Sequence, residues 1–104
     1  MEMENLQKYQ CEIDEKCFEL NDGFKKIRHI ALHLVKTMGK LATYCEAMEH
    51  ESKEVDDNVV INEVIPDLLI HSLQLSNCFN IILVEKYHER IKKIVNKYEK
   101  KTNF

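Results

Sequence analysis

One stretch, the 21 residues from Val59 to Phe79, restricts what this chain can fold into more than any other. On a helical wheel it is apolar on almost every side, the pattern of a helix covered by neighbours all round. It does not read as a membrane span, because Asn62, Glu63, Pro66, Asp67, His71 and Gln74 interrupt it and a bilayer core penalises such residues. Pro66 lacks a backbone donor and crowds the preceding turn, so the helix is expected to kink there or to begin near it. A central position follows. Three short amphipathic neighbours give such a helix too little cover, so self-association into a homodimer or tetramer is expected.

The rest of the chain is expected to supply those neighbours. With 2 Gly and 1 Pro in 104 residues there is little turn chemistry for a many-stranded sheet, whereas 44% hydrophobic and 32% charged residues suit amphipathic helices. The length suits one domain, residues 1–104. Apolar spacing predicts a first helix over Glu4–Leu20, with Leu6, Tyr9, Ile13, Cys17 and Leu20 on one stripe and a turn at Asn21-Asp22-Gly23. A second helix, Phe24–His50, carries Ile27, Ile30, Ala31, Leu34, Met38, Leu41, Cys45 and Met48 at the same period. Residues Glu51–Asn58 read as a polar loop that caps the third helix, and Asn80 as its left-handed terminator. A fourth helix, Leu83–Lys100, is expected to turn Tyr87, Ile91, Ile94, Val95 and Tyr98 inward. The prediction is an all-α, four-helix bundle, or half of one completed by a second subunit.

Charge and cysteine usage narrow the partners. The formal net charge is −3, and the C-terminal basic run Arg90, Lys92, Lys93, Lys97, Lys100, Lys101 is interleaved with Glu85, Glu89 and Glu99, so it reads as a solvated face and not as a nucleic-acid surface. Cys11, Cys17, Cys45 and Cys78 have no zinc-ligand spacing. The opening Met-Glu-Met-Glu lacks the basic and apolar regions of a secretory signal, so reduced thiols in a cytoplasm are expected. All four cysteines and the tyrosines read as packing residues, and His50 and His88 as surface.

The chemistry concentrates where the third helix breaks its apolar pattern. At about 100° per residue, Glu63, Asp67, His71, Gln74 and Cys78 fall within a sector of about 80°. The second helix offers His29, His33, Lys36, Thr37 and Lys40 on one flank. If the two helices run antiparallel, Asp67 lies level with Thr37 and Lys40, and His71 with His33. One reading is a satisfied polar seam in which Asp67 pairs with Lys40 and the histidines bond each other or water. The other is a metal or phosphate site between helices, with His33, Glu63, Asp67 and His71 as metal ligands.

The segment His33-Leu-Val-Lys-Thr-Met-Gly-Lys-Leu-Ala-Thr-Tyr-Cys-Glu46 resembles the first motif of the MazG-like nucleotide pyrophosphohydrolases, Glu-Glu-Val-Gly-Glu-Leu. Residues Glu63-Val-Ile-Pro-Asp-Leu-Leu-Ile-His-Ser-Leu-Gln-Leu-Ser-Asn77 resemble its second motif, and Phe79-Asn-Ile with Glu85–Lys93 its last helix, over residues 24–98 in all. The resemblance implies an all-α bundle that splits a nucleoside triphosphate into monophosphate and pyrophosphate with Mg²⁺ held by clustered carboxylates. Carried over by position, the first acidic pair falls on Thr37 and Lys40 and the second on Val64 and Asp67, with Glu63 one residue off. Only Asp67 is kept, so the expected activity is altered, weak or absent, with Asp67 and Lys40 in the catalytic position. Lys36, Thr37 and Lys40 are then expected to hold the phosphates of a nucleotide or phosphometabolite directly.

Two other functions fit the residues. Arg28-His-Ile-Ala-Leu-His33 matches the Arg-x4-His pattern of HEPN-type ribonucleases, which act on RNA without metal. A helical interaction protein with no small-molecule site needs only the apolar third helix.

Overall fold

The computed structural model describes residues 2–17, 23–50 and 55–102. Helices α1 (Met3–Cys17), α2 (Gly23–Glu49), α3 (Ile65–Cys78) and α4 (Leu83–Thr102) account for most of them, with a π-helical turn, Val60–Val64, leading into α3. The described residues contain no strand, so the all-α class holds. Gly23 opens α2 instead of closing a turn; Leu20, Asn21, Asp22 and the stretch 51–54 lie outside the described residues.

The two ends of the central helix follow local chemistry. At its start Asp56 Oδ1 accepts the Asn58 backbone N–H at 2.9 Å, as the capping role of this loop requires. Pro66 cannot donate, and its ring crowds the carbonyl four residues back. The chain widens the preceding turn to five residues, with the Ile65 N–H bonding the Val60 carbonyl, so the proline is accommodated by a π-turn at the helix start. At the other end Asn80 takes φ 52°, the Ile81 N–H bonds Ser76 O at 3.1 Å and the Asn80 N–H bonds Asn77 O at 3.4 Å, the paired bonds of a Schellman stop.

Around α3 the other helices are arranged unequally. Both α1 and α2 lie along it without touching each other, while α4 leaves it at 106° and touches only α1 and α3. The expected central position of this helix is therefore present, but within one chain the four helices do not close into an up-and-down bundle. Tyr87, Ile91, Val95 and Tyr98, expected to face inward on α4, are exposed. No single helix among the described residues is long and apolar enough to cross a membrane.

Burial corrects the remaining stripes. Only Ile30, Val64 and Leu73 are buried apolar side chains among the described residues. On α2 the half-buried Leu34, Leu41 and Tyr44 flank Ile30 and Thr37, while Ala31, Met38, Cys45 and Met48 of the expected stripe are exposed. On α1 the inner face is polar: Gln7, Gln10 and Asp14 are buried, whereas Tyr9 and Cys17 are exposed. These side chains bond with high specificity to α3 and the start of α4. Gln10 Nε2 and Gln74 Nε2 both donate to Asp14 Oδ1 at 2.9 Å. Gln7 Nε2 donates to Asn77 Oδ1 at 3.2 Å, Gln7 Oε1 accepts the Leu83 N–H at 2.9 Å, and Asn77 Nδ2 donates to Gln7 O at 2.9 Å. Every buried side-chain polar atom among the described residues has a partner, as the free-energy cost of an orphaned one demands. No disulfide forms, and Cys11 and Cys78 are half-buried while Cys17 and Cys45 are exposed, so only two of the four serve in packing.

Candidate functional site

The polar flanks of α2 and α3 face each other across a cleft of about 230 Å³, lined by His29, His33, Lys36, Thr37 and Lys40 from one helix and Asp67, Ile70, His71 and Gln74 from the other. Helical spacing alone accounts for the set: the α2 residues recur at i, i+4, i+7, i+8 and i+11, one face of a helix, and Asp67, His71 and Gln74 do the same on α3. Six of the seven residues expected at the site therefore line one wall or the other. Glu63, the seventh, sits at the cleft's end, bonded to Lys40.

That bond corrects the expected pairing. Lys40 Nζ donates to Glu63 Oε1 at 2.9 Å, not to Asp67. The hydrogen bond to Glu63, its charge, and the more distant charge of Asp67 hold the Lys40 ammonium above its ordinary value, against a smaller opposing effect of desolvation. Glu63 lies one turn before Asp67 on the same polar face, within reach of Lys40.

His71 is held from both sides. Gln74 must turn its amide nitrogen toward the buried Asp14 carboxylate, which leaves its carbonyl Oε1 facing His71 Nδ1 at 3.4 Å. In a neutral ring Nδ1 then carries the proton, and Nε2, 3.1 Å from Thr37 Oγ1, accepts from the hydroxyl. The rings of His29 and His33 lie against each other, tilted by 45° with centroids 4.3 Å apart. Sequence reasoning placed Gln74 on the polar stripe but missed Asp14 and Gln10, whose role is to set the orientation of Gln74. Their i, i+4 spacing on α1 was the available signal.

The pKa of His33 is lowered first by desolvation and then by His29, Lys36 and His71, with Asp67 alone opposing them. Lys36 and Lys40 are the fixed positive charges that this cleft offers an anion, beside the carboxylates of Asp67 and Glu63.

Magnesium fits these side chains poorly. Of the four expected ligands, Glu63 is engaged by Lys40 and both ring nitrogens of His71 have partners, which leaves Asp67 and His33, and a hard cation needs more oxygen donors than one carboxylate. Among the described residues no three histidine, cysteine, aspartate or glutamate side chains converge as a metal site would require. Arg28, of the Arg-x4-His pattern, is exposed and stands about 140° around α2 from His33, outside the cleft.

Beside the cleft, sharing Lys40, a second and mostly apolar pocket of about 290 Å³ is lined by Thr43, Tyr44, Ala47, Val55, Asp56 and Val59. Tyr44 closes its floor by donating from Oη to Asp57 Oδ1 at 2.9 Å, and that bond raises the phenol's pKa. Comparison of the chain with protein-family profiles, with curated proteins and with solved structures returns no match, so the cleft must be read from its own side chains.

Proposed function

We propose that the α2–α3 cleft binds the phosphate groups of a nucleotide or similar phosphometabolite, in a MazG-like scaffold that has exchanged metal-mediated hydrolysis for direct binding by lysine and histidine. The observation that carries this reading is geometric: Lys36 and Lys40 line one cleft together with His29, His33, Thr37 and His71. Lysine serves phosphate as a point charge, with no metal between them.

Isothermal titration with inorganic tripolyphosphate and with nucleoside triphosphates tests it. Lys36→Ala is expected to weaken binding about tenfold, the loss of one charge-assisted contact. Glu63→Gln frees Lys40 of its carboxylate and is expected to tighten binding several-fold. Heats absent from every titration, or indifferent to both changes, would end the proposal.

The pH dependence has a definite sign. A bound polyanion favours imidazolium, so binding takes up protons and tightens as pH falls below the ordinary 6.5 of histidine, the side to which desolvation moves His33. Folding runs the opposite way. A histidine held below 6.5 in the fold binds fewer protons than in the unfolded chain, so its contribution to stability is complete above 6.5 and is lost as pH falls. A binding constant that is flat between about pH 7.5 and 5.5 would contradict this coupling.

Pyrophosphate release from nucleoside triphosphates with Mg²⁺ or Mn²⁺ separates this reading from hydrolysis. No release above background is expected. Release that Asp67→Ala abolishes would instead mean that Glu63 leaves Lys40 to complete a carboxylate site, and the protein would then be a working pyrophosphohydrolase.

A further inference from the structure

Opposite the cleft, α3 presents a different surface. Ile61, Ile65 and Leu69 are exposed along one line at the i, i+4, i+8 spacing, about 120° to 160° around the helix from Glu63 and Asp67. The line runs into the elbow between α3 and α4, where Met3, Leu69, Ser72, Leu83, Val84 and Tyr87 enclose an almost wholly apolar hollow of about 350 Å³. From there it continues along α4 through the exposed Tyr87, Ile91 and Val95. One apolar stripe thus turns a corner of 106° without a break.

We infer that this elbow is filled by the same elbow of a second copy of the chain, α4 of each protomer lying along the Ile61–Ile65–Leu69 stripe of the other. The area agrees. A compact monomer of this mass exposes about 6100 Å², whereas this chain exposes 8508 Å². The excess, about 2400 Å² per chain, is of the size that an obligate dimer interface removes from water. The radius of gyration, 17.3 Å, exceeds the roughly 13 Å expected of a compact domain of this length. Three buried apolar side chains among the described residues make a small core, and a second copy enlarges it.

Charge points to the same occupant. Helix α4 carries seven basic and three acidic residues, a net charge of +4, while the rest of the chain has eight basic and fifteen acidic residues, a net charge of −7. Lys86, Arg90, Lys93 and Lys97 gather along one edge of the apolar stripe, within a sector of about 60°. A helix of this sign fits a body of the opposite sign, and a second copy supplies that body twice in a two-fold pair, since each contact is made both ways. A right-angled hollow also receives a helix better than a flat surface does.

Light scattering after size exclusion, at micromolar concentration, tests the proposal. Wild type is expected at twice the 12.4 kDa of one chain or at a higher multiple, and the pair Tyr87→Asp with Ile91→Asp at the single-chain mass. Val35→Asp, at a still more exposed apolar position on α2, is the control and is expected to leave the assembly intact. Circular dichroism of the variants excludes simple unfolding. Independently, amide exchange of residues 83–98 in wild type is expected to accelerate at least tenfold on dilution into the monomeric range. A wild type that is monomeric throughout, an assembly of any size that survives the α4 pair, one that Val35→Asp dissociates, or α4 exchange indifferent to concentration would each overturn it.

Discussion

Truncation of Leu73 to alanine is expected to lower the unfolding free energy by about 3 kcal/mol. Leu73 is one of only three buried apolar side chains among the described residues and lies on the helix that every other helix touches. The loss combines the transfer free energy of the side chain with the cavity left in a place that the polar α1 cannot collapse to fill. For a domain of this size such a loss lowers the melting temperature by roughly 15 °C. Leu32→Ala, at an α2 position 64% exposed, is expected to change stability by less than about 0.5 kcal/mol. Thermal melts of the two variants beside wild type decide the matter, and a Leu73→Ala melt within a few degrees of wild type would mean that α3 is not seated on the core described.

The second large effect is polar. Asp14→Ala is expected to destabilise by about 3 kcal/mol, because it leaves the Nε2 groups of Gln10 and Gln74 buried with no acceptor. Asp14 is 2% exposed and has no ion-pair partner among the described residues, so its worth lies wholly in those two amide donors. Replacing all three by leucine is expected to recover most of the loss, since a buried group whose partners are removed together leaves nothing unsatisfied. Denaturant titrations of Asp14→Ala and of the triple replacement test this. If the triple variant is no more stable than Asp14→Ala, the cost lies in lost packing and not in orphaned donors. The same substitution touches the cleft, for without Asp14 the Gln74 amide is free to flip and His71 loses its fixed proton position.

What could be read from the sequence was whatever repeats locally. The helix over α2, the stop at Asn80, the capping role of the Asp56 region and the polar face of α3 each depend on residues within a turn or two of one another, and each is present, though half of the apolar stripe expected on α2 is exposed. Six of the seven site residues came from the same logic, because two polar faces on adjacent antiparallel helices have nowhere else to point. Pairings failed where more than one partner lay within reach or a non-local feature intervened. Lys40 binds Glu63 and not Asp67, its neighbour one turn on along the same face, a choice that periodicity leaves open. The inner face of α1 was misassigned because Leu6, Tyr9 and Ile13 form the stronger apolar stripe. The decisive partners of Gln7 and Asp14 lie 60 or more residues away, beyond the reach of any periodicity. For α4 the amphipathic pattern was read correctly and its destination was not, since a stripe says that a face will be covered without naming what covers it.

The polar inner face of α1 also bears on how this molecule responds to temperature. Exposing apolar surface raises the heat capacity of the unfolded chain, whereas exposing amides and carboxylates lowers it. A chain whose first helix is fastened by Gln7, Gln10 and Asp14, with three buried apolar side chains among the described residues, opens to water a surface weighted toward the second kind. Its heat-capacity increment on unfolding therefore falls below the roughly 1.2 to 1.5 kcal/mol/K usual for a hundred residues. The free-energy curve of the separated protomer is correspondingly shallow, so that cooling neither strengthens it much nor brings it close to cold denaturation.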